Sequence, residues 1–164
     1  MKLILKQKFL SWFNTYNIYD ENDNVVYSIK GELSLGHKLR FFDKNNNEVG
    51  LLQEKVFTFL PKFYMYDNSG NEIGVISKKF NILKPKYELS CNGWKTTGDF
   101  WQWNYSIIDN EEEKIATIKR LLSFADNYEI DIPNETNSLL VLMIVTAIDI
   151  DKESSAEAAT SSIN

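Results

Sequence analysis

One histidine, His37, and one cysteine, Cys91, limit the chemistry open to this chain before any fold is considered. A paired-histidine metal site, a histidine relay and a cysteine-based zinc site each need more such ligands than the chain carries. A nucleophilic thiol would need His37 beside Cys91, and nothing in the spacing brings them together. Four aspartates, Asp20, Asp43, Asp67 and Asp109, recur as ligands do, but each precedes a polar turn. An Asx bond from each carboxylate to its own backbone accounts for these positions. No P-loop, dinucleotide fingerprint, nucleophile elbow or paired-His motif occurs. The expectation is a protein that is not an enzyme, with no catalytic residue, no metal and no cofactor.

Two groups of residues could instead bind. Lys78, Lys79, Lys84 and Lys86 gather around Phe80 and Pro85, a composition suited to anionic lipid head groups or, in the plainer reading, a solvated loop with gatekeeping lysines. Adjacent residues on one strand face opposite ways, so Lys78 and Lys79 share a face only if the strand has ended. Trp94, Trp101 and Trp103 cluster with Phe100 and Tyr105. Strand alternation would put Trp101 and Trp103 on one face and Phe100 and Gln102 on the other. Packing is the default for such a group, whereas an exposed pair would mark a binding patch.

The chain of 164 residues is one domain's worth, and 43% hydrophobic with 25% charged residues is ordinary globular composition. A lone cysteine fits a reducing compartment, and a cytoplasmic location is expected. Residues 1–98 hold 14 Lys+Arg against 10 Asp+Glu, and residues 99–164 hold 4 against 13. The first part could touch an anionic surface that the second would avoid. With a pI near 5.0 and no basic recognition element, nucleic acid is not an expected partner. The opening residues break their apolar run with Lys6, Gln7 and Lys8, which no secretory signal does.

The elements follow from a repeat. Six residues after the four aspartates stand Val26, Val49, Ile73 and Ile115, and nine residues after them Ile29, Leu52, Ile76 and Ile118. Apolar pairs such as Phe41-Phe42 and Met65-Tyr66 precede each aspartate, so each unit reads as a hairpin. A fifth hairpin is expected over 87–98, turning at Asn92-Gly93. Counting outward gives about twelve strands, near 6–13, 15–20, 25–31, 38–43, 48–55, 57–67, 72–79, 86–91, 94–99, 102–109, 114–120 and 126–132. An antiparallel sheet of that size curls, and closure into a barrel removes its edges. Twelve strands leave an interior too wide for side chains alone. The run Leu139 to Ile148, bounded by Ser138 and Asp149, is apolar on every side and too short to span a bilayer as a helix, so it is expected to fill that interior. Asn137 and Ser138 are its candidate N-caps, with Glu135 favourable at the positive end of its dipole.

The Asp-anchored hairpins, the Trp94-Lys-x-x-Gly-Asp-Phe100 segment, and Tyr128 followed by the apolar helix ending at Asp149 together resemble the LURP-one-related family. The resemblance covers nearly all of residues 1–151. It implies the Tubby-like fold, a mainly β closed antiparallel barrel of about twelve strands around a central hydrophobic helix. Within that superfamily the phospholipid scramblases carry an acidic stretch before the helix, and Asp126, Asn127, Tyr128, Ile130 and Pro133 match its pattern. Phe124 and Glu135 stand where the calcium-binding pattern has Asp, which leaves a calcium ion short of its 6–8 oxygens. Tubby domains bind phosphoinositides through basic side chains, and for this chain the resemblance points to Lys78, Lys79, Lys84 and Lys86.

The expected organisation is one barrel domain over 1–151, with its helix near 137–149, and a disordered polar tail over 152–164. The expected function is a non-enzymatic binding or scaffold module, with a protein or anionic lipid head groups as its partner. Peripheral binding of anionic lipid and a small-ligand carrier or enzyme with a barrel cavity are the alternatives. No transmembrane segment is expected.

Overall fold

The structure, a computed structural model, describes residues 1–6, 15–121 and 127–162. Its strands are β1 (Lys2–Leu5), β2 (Thr15–Tyr19), β3 (Val25–Gly31), β4 (Lys38–Asp43), β5 (Glu48–Glu54), β6 (Lys62–Asp67), β7 (Glu72–Lys79), β8 (Lys86–Leu89), β9 (Lys95–Asp99), β10 (Asn104–Ile108), β11 (Lys114–Arg120) and β12 (Tyr128–Asp131), and helix α1 is Ser138–Ser161. They form one antiparallel sheet in the order β8-β7-β6-β5-β4-β3-β2-β1-β12-β11-β10-β9. This is a nearly closed barrel whose seam lies between β8 and β9. The Asn92-Gly93 turn is present, with φ of 49° and 69° and Trp94 N–H bonded to Cys91 O at 2.9 Å. The hairpin expected around it is not a ladder: β8 pairs with β7 and β9 with β10, and the Thr96 hydroxyl bonds across the seam to Tyr87 O at 2.9 Å.

The four aspartates build four copies of one turn. Oδ1 of Asp20, Asp43, Asp67 and Asp109 accepts the backbone N–H two and four residues on, all at 2.8–2.9 Å. The residue three on takes a positive φ in every copy, at Asp23, Asn46, Gly70 and Glu112, and each hairpin carries a bulge. The carboxylates are spent on backbone, as their positions predict. Each repeat also buries its ninth residue, Ile29, Leu52, Ile76 or Ile118, in the core.

These bonds hold the Asp43 carboxyl below the ordinary carboxylate range, chiefly through the Asn47 side chain and N–H. A depressed folded value means stability that is present above the unfolded value and lost as pH falls through the folded one. Asp43→Ala is therefore expected to melt below the wild type at pH 7. The gap should close as the pH drops beneath the carboxylate range, and a gap independent of pH in thermal melts would refute this account of the turn.

The first strand sits earlier than expected. Most of 6–13 lies outside the described residues, and β1 occupies Lys2–Leu5 between β2 and β12. β6 begins at Lys62 rather than 57, because Pro61 cannot donate to a ladder and Lys55 N–H bonds to Lys62 O to close a loop. β10 begins at Asn104 rather than 102, after a tight turn in which Trp103 has φ 52°.

Helix α1 runs through the barrel, and its residues from Val141 to Asp151 are all buried, on every side. Inward strand residues such as Leu3, Phe41, Met65 and Ile118 join it in one core. Asn137 stands at the N-cap position, one of the two expected, but without a side-chain cap bond, and Ser138 is the first helical residue. Asn134 caps a preceding 3-10 turn by accepting Thr136 N–H at 3.1 Å, and the Ser138 hydroxyl bonds to Tyr27 at 2.7 Å. The helix also does not stop at Asp149. It continues to Ser161, where sequence composition predicts disorder, because extending a helix already held in the core avoids the cost of nucleation and Lys152, Glu153, Ala156, Glu157, Ala158 and Ala159 are good helix formers.

Candidate binding rim

Antiparallel order sends successive connections to alternate ends of the barrel. The Asp turns and the Asn92-Gly93 turn lie at one end, where α1 enters. The β3–β4, β5–β6, β7–β8 and β9–β10 connections lie at the other, where α1 leaves. These two ends differ in chemistry.

Among the described residues, the large apolar side chains exposed at the second end are Leu33 and Leu35 in β3–β4, Phe57 and Phe59 in β5–β6, Phe80, Ile82 and Leu83 in β7–β8, and Trp101 in β9–β10. At the Asp-turn end the one exposed large apolar side chain among the described residues is Val25, at 37%. Phe57 and Phe59 are 96% and 93% exposed, and Ile82 and Leu83 86% and 87%. Three of the loops, β3–β4, β5–β6 and β7–β8, belong to hairpins that follow one another along the sheet, so their tips form one arc.

These loops are held by polar contacts while their apolar side chains face solvent. Glu54 N–H bonds to His37 O at 2.7 Å, His37 N–H bonds to Glu54 Oε2 at 3.0 Å, and His37 Nδ1 lies 2.6 Å from the same oxygen. The histidine hydrogen bond keeps the Glu54 carboxyl below its usual range against the opposing effect of burial. A Cβ on Gly36, at φ +84°, would meet Val56 at 2.7 Å, so the β3–β4 loop packs closely on the β5–β6 loop. Lys78 N–H bonds to Pro61 O at 2.9 Å and Leu83 N–H to Asn81 Oδ1 at 3.0 Å. Phe57 has φ +59°, a left-handed conformation costly for a bulky residue.

The four lysines singled out from sequence do not converge. Lys78 and Lys79 face opposite ways, as alternation requires. Lys78 turns inward to Asp151, 2.9 Å away, and to Ser155 at 3.2 Å, while Lys79 pairs with Glu88 on the outer wall. Lys84 lies 3.4 Å from Asp99, and Lys86 is exposed. Three of the four thus meet a carboxylate. Lys55 and Lys62, which flank the Phe57-Phe59 loop, instead lie 5.9 Å and 5.3 Å from the Tyr64 ring centre.

Sequence reasoning missed the residues that tie α1 to the wall. Asp151, buried near the rim, accepts the Tyr87 hydroxyl at 2.6 Å as well as Lys78. Burial and the neighbouring carboxylate hold Tyr87 firmly protonated. Their separation along the chain hides this contact, although two aspartates, Asp149 and Asp151, directly after an apolar run were a usable signal.

His37 stands at the rim and Cys91 at the opposite end, so the two form no dyad. Burial pushes the Cys91 thiol up to about 11, and it packs against Gly74. Trp103 and Trp101 do not share a face as expected: they lie in a turn, where strand alternation does not apply, and Trp103 is buried while Trp101 is exposed. Trp103 stacks near Tyr128, ring centres 4.0 Å apart, beneath the ammonium of Lys152 at 3.8 Å. Phe124 and Asp126 of the scramblase-like stretch lie outside the described residues. Among the described residues no group of three acidic, histidine or cysteine side chains is placed to hold a metal. Among the described residues no helix is long and apolar enough to cross a membrane.

The LURP-one-related family model matches residues 1–149. The uncharacterized protein YxjI of Bacillus subtilis (strain 168) is 27% identical over 150 residues, covering 91% of this chain and 92% of the relative. The X-ray structure of an Arabidopsis thaliana protein superposes with a TM-score of 0.64 at 14% identity, over 91% of this chain and 90% of that one.

Proposed function

Because the chain belongs to the LURP-one-related family and folds as its expected barrel around a helix, we propose that it is a non-enzymatic binding module whose working surface is the rim. The observation that carries this reading is the segregation of exposed large apolar residues to one end. Apolar surface is common on soluble proteins when scattered, but its concentration on loops held by specific hydrogen bonds marks an interaction site. In support of this reading over a ligand held inside the barrel, α1 side chains occupy the interior and pack against the inward faces of the strands.

A photo-crosslinking residue, benzoylphenylalanine, placed at position 57 tests this in living cells against the same residue at Ser69 in the Asp67 turn. Position 57 is expected to capture cellular material, protein or lipid, and position 69 is not. Equal labelling at both ends would remove the rim as the binding face.

A further inference from the structure

We propose that the rim docks on an anionic lipid bilayer, with Phe57, Phe59, Ile82 and Leu83 inserted among the lipids at the membrane interface. The inference rests on the rim being the working surface and names what covers it. The apolar side chains stand on separate loops, Phe57 and Phe59 between β5 and β6 and Ile82 and Leu83 between β7 and β8, and each is almost wholly exposed. A protein partner would need a separate pocket for each tip, whereas a bilayer interface accepts pegs at any lateral position.

Charge points the same way. Lys55 and Lys62 flank the Phe57-Phe59 loop, and Lys79, Lys84 and Lys86 flank the Ile82-Leu83 loop, so cations stand directly behind the apolar tips. Lys55, Lys62 and Lys86 have no carboxylate partner among the described residues. A second copy fits poorly, since two rims face to face would oppose these cations. The other end, with Glu21, Asp23, Glu111, Glu112 and Glu113, offers charge but no apolar surface to receive the tips. An anionic leaflet complements both the tips and the cations behind them, at head-group depth. The strained Phe57 backbone and the Gly36 packing fix the direction of the pegs in advance, which reduces the ordering lost on docking.

The test is flotation of the full chain with vesicles of equal parts phosphatidylcholine and phosphatidylserine, and of phosphatidylcholine alone, at low and physiological salt. Binding is expected to the anionic vesicles and to weaken with salt. Each of Phe57→Ser and Phe59→Ser should lower the partition coefficient by about tenfold or more, the equivalent of withdrawing one phenylalanine from the apolar phase. Val25→Ser, at the opposite end, should leave it unchanged. The two Phe variants remove no core contact, so their thermal melts are expected to match the wild type and keep the comparison interpretable. Failure of the wild type to float, or flotation of Phe57→Ser/Phe59→Ser equal to the wild type, would overturn the proposal. If vesicles are ignored while benzoylphenylalanine at 57 still captures a protein, the membrane is the wrong partner and the rim remains the binding face. If neither occurs, both readings fall.

Discussion

Met143→Asp is expected to abolish folding at neutral pH, seen as loss of the β-sheet circular dichroism signal. Met143 is fully buried in the second turn of α1, within its buried stretch. Its Cε reaches a space on β5 that exists because residue 50 is glycine: a Cβ there would lie 2.2 Å from it. A carboxylate at this position would have apolar neighbours and no designed partner. Such substitutions cost more than about 4 kcal/mol, a large share of the roughly 5–15 kcal/mol that holds a domain together. Met143→Leu keeps the apolar character and most of the volume, so it should cost less than about 1.5 kcal/mol in urea unfolding. A folded, normally melting Met143→Asp would mean that the helix is not the core of the barrel.

How much of this could be read from residues alone depended on the range of the interaction. The Asp turns were legible because every partner of Asp20 or Asp67 lies within four residues, and a local bond leaves a local pattern. The helix was legible because a run apolar on all sides has few homes other than a filled interior. Its length was not, since Ser154 and Ser155 look like linker residues until the buried turns before them supply the nucleus. The seam at β8 and β9 was hidden for the opposite reason: Asn92-Gly93 announces a turn, but whether its flanking strands pair depends on how the whole barrel closes. The charge asymmetry was visible along the chain and misplaced in space. It divides the ends of the barrel rather than its two sequence halves, because alternate connections, far apart in sequence, share an end.

The rim shows the same limit from the functional side. Phe57 and Phe59, separated by Thr58 and flanked by Val56 and Leu60, read as the start of a strand over 57–67. Only Pro61 hinted otherwise, and it was compatible with a bend. The lysines at 78–86 were visible as a cluster, but a cluster in sequence is divided by the pleat. Lys78 goes to the inside and Lys79 to the outside, and a site built on both would have required one face to hold them.

Lys78→Ala should destabilise the protein by about 2 to 4 kcal/mol, short of the full cost of breaking a buried ion pair because the lysine side chain is 22% exposed. The two partners are not equivalent. Asp151 is 2% exposed, so removing the lysine strands a carboxylate beneath the rim with only the Tyr87 hydroxyl to share its charge. Asp151→Asn should cost less, since the amide can still accept the Tyr87 bond and the freed lysine can swing toward water. Replacing both with apolar residues, Lys78→Met with Asp151→Leu, should recover most of the loss, because that removes both charges together with their desolvation. The order expected in urea unfolding is thus Lys78→Ala worst, Asp151→Asn intermediate and the double variant nearest the wild type. Hydrogen exchange adds a spatial readout: in Lys78→Ala protection should drop over the helix from 150 onward, where it leaves the barrel, and persist at Val141–Val145. Loss of protection along the entire helix would mean that the pair governs entry of α1 into the barrel, rather than fastening its exit to β7 and β8 at the rim.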